Sequence, residues 1–158
     1  MTPPGADHAS AVHASAVVVG EAGLLIRGAS GTGKSTLARE ILALAAARGL
    51  FARLLGDDRI LLSEEHGRLV ARPHAAIAGT IEVRGLGLVP VDHAPSAVVR
   101  LLVDCGEPRL DRLPGPDQLY ETVSGVLLRR IVAGPGDAER VLFALEHPAA
   151  PSGAMEPK

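Results

Sequence analysis

The chain has 158 residues, 47% of them hydrophobic, and a formal net charge of −2. That length supports one domain with a real core, and the near-neutral charge provides no basic field to attract a polyanion. Phe51, Phe143 and Tyr120 are the only aromatics, which argues against nucleic-acid binding through stacked bases.

Residues 1–10 carry Pro3, Pro4 and Gly5 without periodicity and are expected to form a loose end. His8–Val12 and His13–Val17 are the same pentapeptide in tandem, and only the second copy is expected to run into a strand, Ala16 to Val19. Glu21-Ala22-Gly23 suits a hairpin turn into a strand over Leu24–Arg27. Leu37 to Arg48, rich in Ala, Leu, Glu and Arg, predicts a helix closed by Gly49. Phe51 to Leu55 predicts a strand ending at Gly56-Asp57-Asp58. Ile60–Leu62 and Leu69–Ala71 predict a hairpin with Gly67 in its turn. Short strands follow at Thr80–Val83 and Val98–Asp104, with turn-rich sequence over 106–118. Leu119 to Val132 predicts a helix, with Gly125 against it, and Val141 to Leu145 a last strand. A Pro/Ala/Ser/Gly tail fills 148–158. One strong helix among many short strands departs from regular β-α alternation and gives an α/β class with a mixed sheet. Cys105 stands alone, so no internal disulfide forms, and no cationic-plus-apolar leader opens the chain. Both features point to the cytoplasm. No apolar run approaches the ~18 residues of a membrane span.

The most specific signal is Gly28-Ala29-Ser30-Gly31-Thr32-Gly33-Lys34-Ser35-Thr36, a complete G-x-x-x-x-G-K-[ST] loop between a strand and a helix. Its N–H groups and the helix N-terminus suit phosphate oxygens, Lys34 would reach the β/γ-phosphates, and Ser35 would ligate Mg²⁺. Chemistry needs a metal-side carboxylate and a group for the acceptor's proton. Asp57 and Asp58, at the carboxyl end of an apolar run, could divide those tasks. Asp104, closing Val98–Val103, is a rival metal ligand. His13 begins the strand leading toward the loop, and Glu82 and Arg84 lie on a short strand whose charges would ordinarily face solvent.

Together these segments resemble the catalytic domain of HPr kinase/phosphorylase, from about His13 to Ala144. The resemblance rests on four pieces: the loop Gly28–Ser35; His13, fifteen residues before Gly28; Leu54-Leu55-Gly56-Asp57-Asp58; and Ile81-Glu82-Val83-Arg84-Gly85-Leu86-Gly87-Leu88-Val89. It implies a single P-loop kinase domain over 11–147 with a mixed, strand-rich sheet and few helices. It implies an ATP- and Mg²⁺-dependent kinase acting on a serine of the phosphocarrier HPr, regulating the phosphotransferase system. By position, Asp58 is the base, with Asp57 beside it and His13 near the pair. Lys34 neutralises the transferring phosphate, Ser35, Asp57 and Glu82 hold metal, and Arg112 is the catalytic arginine. Family members form hexamers, so a homo-oligomer is implied. The chain looks like the short form without the family's N-terminal domain. The family's late Arg-Pro-Gly-Arg-Asn-type loop is replaced by Ala133-Gly134-Pro135-Gly136-Asp137-Ala138, which lacks both arginines. Phosphorolysis, which must bind inorganic phosphate as attacker, is therefore expected to be weak or absent. Two other readings remain: a nucleotide-binding regulatory module without transfer, and a P-loop ATPase or small-molecule kinase built on Asp104.

Overall fold

The structure, a computed structural model, describes residues 9–108 and 110–148. Its strands are β1 (Ser10–Val12), β2 (Ala14–Val19), β3 (Ala22–Arg27), β4 (Ala52–Gly56), β5 (Ile60–Glu65), β6 (Arg68–Pro73), β7 (Thr80–Val83), β8 (Gly87–Pro90), β9 (Ala97–Asp104), β10 (Tyr120–Val123) and β11 (Val126–Val132). Its helices are α1 (Lys34–Ala47), α2 (Pro116–Leu119) and α3 (Ala138–Glu146), with a 3₁₀ turn at Ala75–Ile77. This is the strand-rich α/β class expected. Among the described residues, no helix is long and apolar enough to cross a membrane.

Nine strands make one mixed sheet: seven follow the order β1-β5-β6-β9-β3-β2-β4, and β11, with β10 beyond it, branches from β9. β9 is its hinge. It pairs β3 in parallel along one edge, and along the other it pairs β6 near its start and β11 near its end. β7 and β8 form a separate hairpin. Alternation along the central strands divides the core. Val17, Val19, Leu24, Ile26, Leu101 and Val103 pack against Leu37 and Ile41 of α1 and Val141 and Leu142 of α3. Ala14, Ala16, Leu25 and Leu102 face the other way, where Leu55, Ile60, Leu62 and Leu69 cover them. The β5–β6 hairpin therefore does on one face what helices do on the other.

The topology gathers three chain segments at one end of the sheet. β2 runs antiparallel to both β3 and β4, so β3 and β4 are parallel. Their carboxyl ends, which deliver Gly28 and Asp57, lie at the same end of the sheet, on either side of β2. The start of β2 lies at the same end, with Ala14 opposite Arg27, and this brings His13 to it.

Several expectations need correction. Ser10–Val12, assigned to the loose end and to a strandless first pentapeptide, is β1, held by pairing with Leu62, Leu61 and Ile60. The remaining expected loose ends, 1–8 and 149–158, lie outside the described residues. The helix expected over 119–132 is the β10–β11 hairpin. Ser124 and Gly125 have φ of 50° and 82°, a left-handed pair suited to a two-residue hairpin turn. The strand expected at Val141–Leu145 belongs to α3. Ala138, Val141 and Leu142 fall at helical spacing and are buried in the core.

Candidate active site

Six residues, 28–33, link β3 to α1 through a tight frame. Thr32 donates to the Ala29 carbonyl from both its backbone N–H (3.2 Å) and its hydroxyl (2.7 Å). Gly28 has φ of 153°, and a Cβ there would lie 2.6 Å from the Cys105 carbonyl oxygen. Gly33 has φ of 99°, and a Cβ would lie 2.5 Å from Pro135 Cγ. Both positions therefore exclude any side chain. Gly33 caps α1 without a side-chain bond, and no acidic residue occupies the first turn. The N-terminal N–H groups and the positive end of the helix dipole are thus left to an anion. Lys34 is buried at 7% exposure, and its ammonium donates to the Gly28 (2.8 Å) and Ala29 (3.1 Å) carbonyls.

The acid pair divides sharply. Asp57 is buried, and its Oδ1 accepts from the hydroxyls of Ser35 (2.7 Å) and Ser15 (2.6 Å). Its Oδ2 accepts from the Glu82 N–H (3.3 Å). Asp58 has φ of 73°, a left-handed conformation costly for a residue with a Cβ. That turn sends its carboxylate elsewhere: Oδ1 lies 3.2 Å from His13 Nε2, and the two side chains are 64% and 58% exposed. Neighbours in sequence thus face different surroundings, one locked to the phosphate loop and one open to an incoming molecule.

An open cavity of about 640 Å³ joins these groups. Ser30, Gly31, Gly33, Lys34, Ser35 and Thr36 line it, together with Asp57, Asp58 and Glu82. Gly28, Ala29 and Thr32 form the frame behind. Sequence reading missed two contributors, Ser15 and Arg39. Ser15 is the one polar residue of β2, and a serine within an apolar run was the available signal. Arg39 lies one helical turn beyond Ser35, which period-3.6 spacing would have brought to the same face. Arg84 also lines the cavity. Arg112 is exposed and does not.

Asp104 does not take the metal-ligand position. Arg27 holds both its oxygens (Nε–Oδ1 2.8 Å, Nη2–Oδ2 2.9 Å), and Arg130 Nε adds a 2.5 Å bond to Oδ2. Like Leu102 two residues before it, it faces away from α1. The acid bonded to the phosphate-loop serine is Asp57.

A glycine-rich loop between strand and helix, with its serine tied to an acid at the end of a parallel strand two places along the sheet, defines a P-loop kinase fold. The family model for the HPr Serine kinase C-terminal domain matches residues 6–95, more than half of the chain, and the chain belongs to that family. The match includes His13, the phosphate loop, Asp57, Asp58 and Glu82 and ends before Arg112. HPr kinase/phosphorylase of Mycoplasma mycoides is 33% identical over 109 residues, 63% of this chain and 33% of that protein. The Clostridium beijerinckii enzyme of the same name is 39% identical over 80 residues, 51% of this chain and 24% of that protein. The chain thus spans no more than about a third of the length of these two relatives. The Hpr(Ser) kinase/phosphatase structure from Coxiella burnetii superposes with a TM-score of 0.67, covering 88% of this chain and 95% of that one at 23% identity. This last likeness bears on the fold.

Proposed function

We propose that the chain is an enzyme that transfers the terminal phosphoryl group of ATP, with Mg²⁺, to a serine of an HPr-like phosphocarrier protein. Family membership supports the acceptor class. The observation that carries the chemistry is the divergence of Asp57, bonded to Ser35, from Asp58, open beside His13.

The donor set suits Mg²⁺. Ser35 and Asp57 offer hard oxygen ligands in contact, with Glu82 beside them. Among the described residues, no group of three or more His, Cys, Asp or Glu gathers as an all-protein metal cage. Mg²⁺ ordinarily binds through one or two carboxylates, waters and substrate phosphates rather than such a cage. Once bound, the ion supplies charge neutralisation at the phosphate oxygens.

Asp58 accepts the proton of the seryl hydroxyl as that oxygen bonds to the γ-phosphorus. The bond from the γ-phosphorus to the bridging oxygen breaks, and ADP leaves. His13 holds the Asp58 carboxylate in place. Lys34 and the loop N–H groups stabilise the phosphoryl oxygens, with Arg39 and Arg84 on the cavity wall. Arg112, expected as a catalytic arginine, gains no support from the geometry. Segment 133–138 brings no cation to the phosphate loop: Pro135 packs on Gly33, and the Gly136 N–H donates to Glu40 (2.8 Å). Phosphorolysis is accordingly weak or absent, and phosphate-dependent pyrophosphate release from phospho-HPr at rates near the kinase rate would refute this. A homo-oligomer, hexameric by family resemblance, and a cytoplasmic setting complete the reading.

Mass spectrometry of an HPr protein incubated with this chain and Mg·ATP tests the proposal. Phosphate on one serine is expected. An unlabelled HPr, with nucleotide still bound by the chain, points instead to a binding module.

A further inference from the structure

The Asp104 cluster has no part in the proposed chemistry, yet it adjoins the phosphate loop. Four charged residues occupy four neighbouring strands in the order β3-β9-β11-β10: Arg27, Asp104, Arg130 and Glu121. All lie on the face opposite α1, beyond the apolar rows of Leu25, Leu102 and Leu128. Arg27 makes a two-pronged bond to each acid: 2.8 and 2.9 Å to Asp104, and 2.9 and 2.8 Å to Glu121. Arg130 bonds Asp104, and its Nη1 donates to the Gln118 carbonyl in α2 at 3.1 Å.

Each end of this row meets a segment bearing on the site. Arg27 is the residue before Gly28, and its carbonyl accepts from the Cys105 N–H at 2.7 Å. A shift of Arg27 therefore moves the entry to the phosphate loop. At the other end, α2 directly follows the irregular segment 110–115. Paired two-pronged arginine–carboxylate bonds fix orientation as well as distance. Removing the central carboxylate would leave two half-buried guanidinium groups facing each other without compensation.

We propose that Asp104 is a positioning residue that, through Arg27 and Arg130, holds the start of the phosphate loop and the 110–119 segment in one fixed relation. It acts on loop geometry and touches neither nucleotide nor metal. The inference rests on the P-loop reading only for its effect on nucleotide binding.

Hydrogen exchange of the intact protein without nucleotide tests it independently of activity. In Asp104→Asn, exchange at residues 28–35 and at 110–119 should rise about tenfold, the scale expected for losing a charged hydrogen bond. Protection within α1 and β2 should stay unchanged. Mg·ADP affinity should fall by a similar factor. Should Asp104→Asn fail to fold, Glu121→Gln removes the outer acid and should raise exchange at the same two segments to a lesser degree. Unchanged exchange at either segment, or a uniform rise across the protein, overturns the proposal. Loss of protection at both segments in a chain that binds no Mg·ADP, even as wild type, supports the positioning role while refuting the kinase reading.

Discussion

The Ser35 hydroxyl donates to Asp57 Oδ1 at 2.7 Å, tying the phosphate loop to the end of β4. Ser15 donates to the same oxygen from β2, so a single carboxylate oxygen joins β2, the end of β4 and the first turn of α1. Asp57 is thereby committed to the loop, and Asp58 is the acid left facing outward.

Ser15→Ala should weaken Mg²⁺-dependent nucleotide binding without touching the nucleotide. Ser15 is fully buried, and a hydrogen bond to a charged group contributes roughly 1.5–3 kcal/mol. Asp57 would remain bonded to Ser35 with one donor fewer. Titration with Mg²⁺ at fixed ATP should show a higher metal requirement and a lower melting temperature; an unchanged metal requirement would remove Ser15 from the site.

Gly33→Ala should destabilise the fold and damage nucleotide binding together. The added carbon meets Pro135 at 2.5 Å, and the backbone φ of 99° is unfavourable for alanine. Overpacking and backbone strain each cost about 1–3 kcal/mol. Gly31→Ala is the matched control, because its φ of 87° carries the strain while nothing lies within 4 Å. Thermal melts of the two variants should differ by the packing component, with Gly33→Ala the less stable.

Cys105 should resist alkylation in the folded protein. Burial pushes its thiol up to about 11, against a smaller opposing effect of Lys34. The reactive thiolate is then scarce at pH 8. Iodoacetamide followed by mass spectrometry should show modification only after denaturation; rapid labelling of the native chain would contradict the packing around Gly28.

Acid should act through the charge row. Burial raises the Asp104 carboxyl, but hydrogen bonds from Arg27 and Arg130 outweigh it and leave it below its ordinary 3.8. The hydrogen bond from Arg27 likewise holds Glu121 below 4.5. For depressed acids the unfolded state binds more protons, so their stabilisation is present above those ordinary values and is lost as pH falls through the folded ones. Denaturant melts should show stability declining as pH drops below about 4.5, and Asp104→Asn should flatten that decline. An equally steep decline in the variant would exclude Asp104 as its source.

The phosphate-loop motif was legible in sequence because its glycines, lysine and serine are contiguous and its frame is set by local backbone geometry. Asp57 and Asp58 were legible as a pair that divides two tasks, but which acid takes which came only from the family resemblance. Their separation depends on a left-handed φ at Asp58 and on a bulged β2–β4 register near Ala16, neither of which leaves a local pattern. The β10–β11 hairpin was misread because Leu and Arg favour helices, whereas pairing with β9 decided the outcome. Asp104 looked like a metal ligand because it closes an apolar strand beside the loop. Its arginine partners come from β3 and β11, and only the sheet order brings them to it.

The division between the two acids is tested most directly by Asp58→Asn, measuring Mg·ATP binding and single-turnover transfer to HPr on the same preparation. Binding should stay near the wild-type value while transfer falls about 10²–10⁴-fold, the range for loss of a general base. Transfer at the wild-type rate, or a loss of binding that matches the loss of transfer, would contradict Asp58 as the group that takes the serine proton.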